Sequence, residues 1–395
     1  MSMRLIVTRL TRSQKEYIVC ALYQDKRLVE ATAQSAEENS ILGNIYVGRV
    51  KDVVQNLNAA FIEIEPGVPC YFSMEDLRNP VFVKKINSPR LVQGDELLVQ
   101  VEKESMKTKP PRVTTNLSFT GKYLVLTTGN RTLGISRKIS GEARARLKEL
   151  LSAYDYGLVA RTNSADASDE QILAELNQLQ AQAEDIIAKA PYQTCFSCIR
   201  RQRPEYLTAL QNACSTQLDE IITDVPQLYD EMYQYLKEYQ PSDLPKLKRY
   251  EDSLLSLAKC YSLEVRLEEA LRERVWLKSG GYLIIQPTEA LTVIDVNSGK
   301  SAARGDVQKH YLKINLEAAQ EIAVQLRLRN LSGIIIIDFI DMTSREAREQ
   351  LMDVLKKQTG QDPVPVQVVD MTKLNLVELT RKKVRKSLLE QFQDN

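Results

Sequence analysis

Two apolar runs that each end in an aspartate constrain this chain more than any other feature. LTVID stops at Asp295 and IIIID stops at Asp338, with an amphipathic run, NLEAAQEIAVQLRLR over 315–329, between them. A further helix, capped by Thr343 and Glu346 and stopped at Gly360, leads to a third strand, VPVQVVD. Strand, helix, strand, helix, strand is the signature of an α/β sandwich. Side chains at i and i+2 share a strand face, so Asn297 joins Asp295 there. Ligands of α/β sheets sit outside the carboxyl ends of the strands. Two neighbouring strands therefore present two carboxylates and an amide at one rim. Hard oxygen donors of this kind suit Mg²⁺, whose charge stabilises a phosphoryl transition state. Aspartates that merely cap helices or end strands account for the same residues equally well at this point.

Composition narrows the chemistry. The 395 residues allow two to three domains, each with its own core. At 43% hydrophobic and 27% charged, the chain reads as globular, and disordered, collagenous or membrane classes fit poorly. His310 is the single histidine, which excludes HExxH zinc sites and paired-histidine catalysis, and a Ser-His-Asp triad would run through it alone. Six cysteines are too sparse for a disulfide scaffold, and MSMRLIVTRLTRSQKEY has no signal-peptide core. The strongest apolar run, 333–337, is far short of a membrane span. A reduced, cytoplasmic protein without a membrane segment is expected.

Upstream the pattern is different. Residues 3–35 read as a β-meander, and NIYVGRVKDVVQNLNAAFIEI through RVTTNLSF reads as short strands of a small barrel. YLVLTT, LGISRKI and DYGLVARTNS add strands, with a helix at 141–152. Ser168 and Gln171 form a capping box for a helix over 169–189. Residues 204–275 are mostly helical, with Pro241 and Pro245 as breakers. RVWLKSGGYLIIQ reads as a hairpin turning at Gly280-Gly281, and 373–392 as a final basic helix.

The blocks around these signals resemble the ribonuclease E/G family in order and over nearly the whole chain. IDVNSGKS with NLEAAQEIAVQLRLRNLSGIIIIDFIDM resembles its catalytic core; NIYVGRVKDVVQNLNAAFIEIEPGVPCYF its inserted S1 domain; and YGLVART the strand of its 5′-phosphate sensor. The resemblance implies an α+β multidomain fold. An RNase H-like subdomain (1–38 and 206–272) is split around an S1 (OB) barrel (39–119) and a 5′-sensor region (120–205). A DNase I-like α/β catalytic subdomain (273–395) follows. It also implies Mg²⁺-dependent endonucleolytic hydrolysis of single-stranded RNA, one metal per site, leaving 5′-phosphate and 3′-hydroxyl ends.

Carried over by position, Asp295 and Asp338 match the metal-binding aspartates, and Asn297 matches the amide that orients one of them or holds the scissile phosphate. Arg161 and Thr162 match the grip on a 5′-monophosphate, and Val125 the position beside them. Phe61, Tyr71 and Lys109 match the two stacking aromatics and the basic contact of the S1 face, with Arg112 in the same basic stretch. Base stacking there is worth ~1–3 kcal/mol per base. The family's CPxC zinc-link and small domain have no counterpart, so a zinc-tied dimer is not expected, although another homo-oligomer is open.

Charge is balanced at 53 Lys+Arg against 52 Asp+Glu, but it is segregated. Residues 105–141 hold Lys107, Lys109, Arg112, Lys122, Arg131, Arg137 and Lys138 without an acid, 373–386 hold six basic residues, and Arg200, Arg201 and Arg203 cluster. RNA contact is expected for the first run, while a solvated helix face explains the tail as well. Cys195 and Cys198 read as packed thiols before redox or shared-metal ligands, and His310 as a surface or loop residue. Lys300 and Asp306 lie in the loop after Asn297; Lys300 reads as an RNA-phosphate contact or a solvated charge. Asp341 reads either as a metal support acting through water or as a helix cap. The alternative from another class is a non-catalytic S1-type RNA-binding protein.

Overall fold

The computed structural model describes residues 2–36, 40–105, 109–212, 218–252, 254–299 and 306–393. Lys107 and Lys300 lie outside the described residues. The chain divides into two compact units, one of residues 1–38, 205–209 and 213–395, the other of residues 39–204 and 210–212.

The second unit holds a closed barrel. Strands Ile45–Val54, Ala59–Glu65, Val68–Ser73, Arg112–Thr114 and Glu96–Lys103 pair in that order, and the last pairs back onto the first. Closure removes the sheet edges, and Val50, Ile62, Phe72, Leu97, Val99 and Val113 fill the interior. A four-stranded sheet follows, in the order Ser118–Thr120, Leu124–Thr127, Gly157–Ala160, Leu133–Ile135. Helix Asp169–Lys189 packs on it through Ile172, Leu176, Leu179 and Ala183. The Ser168–Gln171 capping box is formed.

In the first unit the expected meander forms as Met3–Arg12, Lys15–Gln24 and Arg27–Ser35. Strands Glu220–Thr223 and Leu247–Arg249 extend it in parallel beyond Met3–Arg12. The same unit carries a six-stranded sheet in the order Arg274–Trp276, Tyr282–Pro287, Leu291–Asn297, Gly333–Asp338, Leu376–Arg381, Val366–Met371. Ile294, Val296, Ile335, Ile337, Val377 and Leu379 seal one face in a core with Ile314, Ala318 and Ile322 of helix Val307–Leu328 and Leu351 and Leu355 of helix Arg345–Thr359. Among the described residues no helix is long and apolar enough to cross a membrane.

Three local expectations are corrected. The helix expected at 315–329 starts at Val307, because the Asp306 carboxylate accepts from the N–H groups of Gln308 and Lys309. His310 is therefore inside a helix rather than in a loop. The following helix is capped by Ser344, whose hydroxyl accepts from the Ala347 N–H, not by Thr343. The basic tail is not one helix. Asn375, with φ +63°, turns the chain into strand Leu376–Arg381, and only Leu388–Phe392 is helical. Val377 and Leu379 point into the core at strand spacing, which overrides the run of lysines.

The tail is fixed by a buried ion pair. Arg381 and Asp362 have side chains 2% and 4% exposed, with Nε–Oδ2 at 2.9 Å and Nη2–Oδ1 at 3.3 Å. The remaining Arg381 Nη1 donates to Asn330 Oδ1 and the Leu331 carbonyl. Removing one partner strands the other charge in the core. Asp362→Ala is expected to lower stability by about 3–5 kcal/mol, read as a fall in the urea midpoint.

Candidate active site and RNA-contact residues

Strands Leu291–Asn297 and Gly333–Asp338 are parallel neighbours, and their register places Asp295 opposite Asp338. Asn297 donates from Nδ2 to Asp295 Oδ2 at 2.7 Å, which fixes that carboxylate's rotation. The three residues that the spacing marks out thus share one rim of the sheet. Partial burial, then the negative charges of Asp295 and Asp341, raise the Asp338 carboxyl above the ordinary aspartate range. Two carboxylates are thus held together against their own repulsion. Among the described residues no group of three or more His, Cys, Asp and Glu is placed to hold a metal.

Helix Val307–Leu328 organises the loops around this rim. Asn315, with no exposed surface, donates from Nδ2 to the Ile340 carbonyl at 2.8 Å and accepts from the Ile340 N–H at 3.1 Å. That double bond pins the segment between Asp338 and Asp341. Gln308 Oε1 accepts from the Thr343 N–H at 3.0 Å. On the other side, Glu317 accepts from the N–H groups of Lys278 at 2.6 Å and Ser279 at 3.2 Å, anchoring the hairpin turn. At Gly281 a Cβ would stand 2.8 Å from the Asn297 carbonyl, so this turn admits no side chain there. Asp341 does not cap a helix; its Oδ1 accepts from Asn375 Nδ2 at 3.0 Å. The Nε2 of His310 is buried without a hydrogen-bond partner among the described residues.

In the second unit, Phe61 and Tyr71 face each other across neighbouring barrel strands, with ring centroids 6.4 Å apart and planes at 78°. Tyr71 is paired in turn with Arg112. Arg112 is tied to carboxylates, with Nη2 2.8 Å from Asp76 Oδ2 and Nε 3.0 Å from Glu102 Oε2. The hydrogen bond it donates to Asp76 leads the effects that raise its pKa. Lys109 is exposed. Lys122, counted in the basic run, is only 4% exposed.

Arg161 leaves strand Gly157–Ala160 with its fork already engaged, Nη1 to the Gly121 carbonyl at 2.5 Å and Nη2 to Asn212 Oδ1 at 2.6 Å. Thr162 Oγ1 lies 3.0 Å from Ser136 Oγ, and Val125 pairs with Val159. Glu175, which the sequence reading missed, accepts from the N–H groups of Lys122, Tyr123 and Leu124 at 2.7–2.8 Å. Burial pushes its carboxyl up against those three donors. A Cβ at Gly121 would run into this carboxylate, so a larger residue there would displace Glu175 from its three donors. The thiols of Cys195 and Cys198 are half-buried, and burial raises both above their ordinary value, away from thiolate reactivity.

Comparison with known proteins decides the relationship. The Ribonuclease E/G family model matches residues 118–384. Ribonuclease G of Salmonella typhimurium (strain SL1344) is 33% identical over 380 residues, which is 91% of this chain and 76% of that protein. The chain belongs to the ribonuclease E/G family. Ribonuclease E of Nostoc sp. (strain PCC 7120) is 33% identical and that of Haemophilus influenzae 32%, each over 390 residues and 96% of this chain. The chain spans 56% and 42% of those two ribonuclease E proteins. The family match takes in both aspartates, Asn297, Val125, Arg161 and Thr162, whereas Phe61, Tyr71, Lys109 and Arg112 precede it.

The pinning role of Asn315 has a direct check. Asn315→Ala leaves the Ile340 N–H and carbonyl unpaired, at about 1–3 kcal/mol for each buried group. The urea midpoint is expected to fall, and the Ile340 amide to exchange with solvent more than tenfold faster than in the wild type.

Proposed function

We propose that this chain is an endoribonuclease that hydrolyses phosphodiester bonds of single-stranded RNA with Mg²⁺, leaving 5′-phosphate and 3′-hydroxyl ends. The in-register pair of Asp295 and Asp338, with Asn297 bonded to the first, supports this reading most strongly. The family membership and the names of the relatives agree with it.

The donor set fits the metal. Mg²⁺ takes one or two protein carboxylates, keeps several waters and shares the remaining positions with substrate phosphate, so two aspartates are enough. Asp295 and Asp338 would hold it. When bound, it supplies positive charge to the phosphoryl transition state and lowers the pKa of water. Asn297 keeps one Asp295 oxygen turned to the rim and offers its amide to the scissile phosphate. A water oxygen forms the new bond to phosphorus as the bond to the 3′ oxygen breaks; the nucleophile's proton passes to solvent, and solvent returns one to the departing 3′ oxygen to give the hydroxyl. No histidine takes part.

In the same reading, Phe61 and Tyr71 stack bases on the barrel while Lys109 meets phosphate. Arg112, held by Asp76 and Glu102, braces Tyr71 more than it meets RNA. Arg161 and Thr162 receive a 5′-monophosphate, with Val125 beside the terminal nucleotide. The five-stranded sheet of the first unit is assigned as the RNase H-like layer and the six-stranded sheet as the DNase I-like layer.

The test uses a 5′-labelled, A/U-rich single-stranded RNA with Mg²⁺. Asp295→Asn and Asp338→Asn are each expected to slow cleavage by about 10²–10³ or more, and EDTA to stop it. Cleavage that survives Asp295→Asn would sink the site. Binding without cleavage under any condition would leave only an RNA-binding protein.

A second prediction concerns pH and metal. Because the folded-state pKa of Asp338 is raised, the native chain binds its proton more tightly than the unfolded chain. Ionisation of Asp338 therefore costs stability as pH rises through the unfolded and then the folded pKa. In EDTA at neutral pH, Asp338→Asn is expected to melt above the wild type, with the gap closing in acid. Mg²⁺ is expected to raise the melting temperature of the wild type but not of Asp338→Asn.

A further inference from the structure

The open face of the six-stranded sheet carries an aromatic pair whose place in the register is specific. Trp276 on the edge strand pairs with Tyr282, and Tyr282 pairs with Asn297. Two residues along each strand, Arg274 pairs with Ile284, Ile284 with Asp295, and Asp295 with Asp338. Paired residues of neighbouring strands project from the same face, as do residues two apart on one strand. Trp276, Tyr282, Asn297, Asp295 and Asp338 therefore all rise from one surface. Neighbouring strands lie about 4.8 Å apart, which puts the tryptophan strand roughly 10 Å from the Asn297 strand. That is the span of one or two nucleotides of an extended strand.

The pair is built as a platform. The rings of Trp276 and Tyr282 have centroids 5.3 Å apart at 60°. The Arg274 guanidinium lies 5.6 Å from the indole and 4.6 Å from the phenol ring, and stiffens both. Trp276 nonetheless remains 63% exposed, and it is the chain's one tryptophan. A large apolar ring left in water gains nothing from folding, so its surface is available to something that brings a π-face. A nucleobase does so without sequence preference, and the arginine adds the positive charge that suits a phosphate chain.

We propose that Trp276 and Tyr282, backed by Arg274, form a stacking platform for an RNA base next to the scissile phosphate, and so position the strand at Asp295 and Asp338. The proposal rests on the nuclease reading above for the identity of the strand. The bland alternative is that the three side chains only stiffen a short edge strand.

The unique tryptophan makes the test local. The intact chain in EDTA is titrated with a ten-nucleotide oligoadenylate bearing a fluorescein, and occupancy is read by anisotropy while Trp276 emission is followed in parallel with an unlabelled copy. Emission is expected to fall in step with occupancy. An oligomer of the same length and charge with abasic sugars should, at equal occupancy, leave emission unchanged. Trp276→Ala is expected to raise the KM for a short RNA about tenfold with kcat little altered, and Trp276→Phe to restore most of the loss. Equal quenching by the abasic oligomer, or an unchanged KM in folded Trp276→Ala, overturns the platform. So does an emission change that follows protein concentration without RNA, which would assign the surface to a second copy of the chain. Cleavage without quenching removes the platform and leaves the nuclease reading standing; quenching without cleavage does the reverse.

Discussion

The parallel pairing of the Asp295 and Asp338 strands is the constraint on which the rest of the six-stranded sheet depends. It brings two like charges into register, which electrostatics opposes, and Asp338 has a raised proton affinity, first from its partial burial and then from the charges of Asp295 and Asp341. The opposing force is apolar. Ile294, Val296, Ile335 and Ile337 alternate with the site residues on the same two strands and are almost wholly buried under the helices. A slip of one residue would turn the carboxylates into that core and the isoleucines out to water, so the packing that stabilises the sheet also enforces the register. Charge crowding at the rim and burial beneath it are thus two sides of the same strands.

A parallel pair requires a crossover, and the crossover helix does more than connect. Its Gln308, Asn315 and Glu317 reach the loops that leave both sides of the site, and each bonds backbone, Gln308 accepting from the Thr343 hydroxyl as well. Backbone anchoring sets the path of the chain while leaving the site side chains free to meet ligand. The four-stranded sheet of the second unit shows the same device, where the Glu175 carboxylate gathers three successive N–H groups and Gly121 leaves room for it. In both places a rigid helix supplies the polar atom and a loop supplies the donors, the arrangement expected where a functional surface needs a supporting shell.

The strands, the hairpin at Gly280-Gly281, the Ser168 capping box and the carboxylate rim were legible in the sequence because their signals are local. Period-two alternation, a glycine pair and an S-x-x-Q spacing each act within a few residues. The supporting residues were not legible for the opposite reason. In NLEAAQ, Asn315 and Glu317 look like solvated helix positions, and only the tertiary fold buries one and aims the other at a turn. The basic runs misled in the same way. Arg385 finds Glu30 and Glu205, and Arg327 also reaches Glu30, from partners far away in the chain. Burial works against ionising Glu30, yet the two arginines hold its carboxyl below the ordinary range. Part of what counts as positive charge along the tail is spent inside the fold.

For the proposed function, this redistribution changes which groups can meet RNA. With Lys122 buried, Arg112 paired and Arg381 and Arg385 engaged, long-range attraction has fewer open charges than the composition suggests. Short-range contacts must then carry more of the binding. The two ring pairs, half-buried Phe61–Tyr71 on the barrel and exposed Trp276 with half-buried Tyr282 on the six-stranded sheet, are each set edge to face or tilted rather than stacked on one another. A pair closed face to face would spend its surfaces on itself, whereas a tilted pair keeps a flat ring open to a base. Stacking of that kind is indifferent to base identity and unavailable in a duplex whose bases already stack on their neighbours. In the proposed function, a surface that relies on it therefore selects for single strands by geometry, before any phosphate reaches the carboxylates.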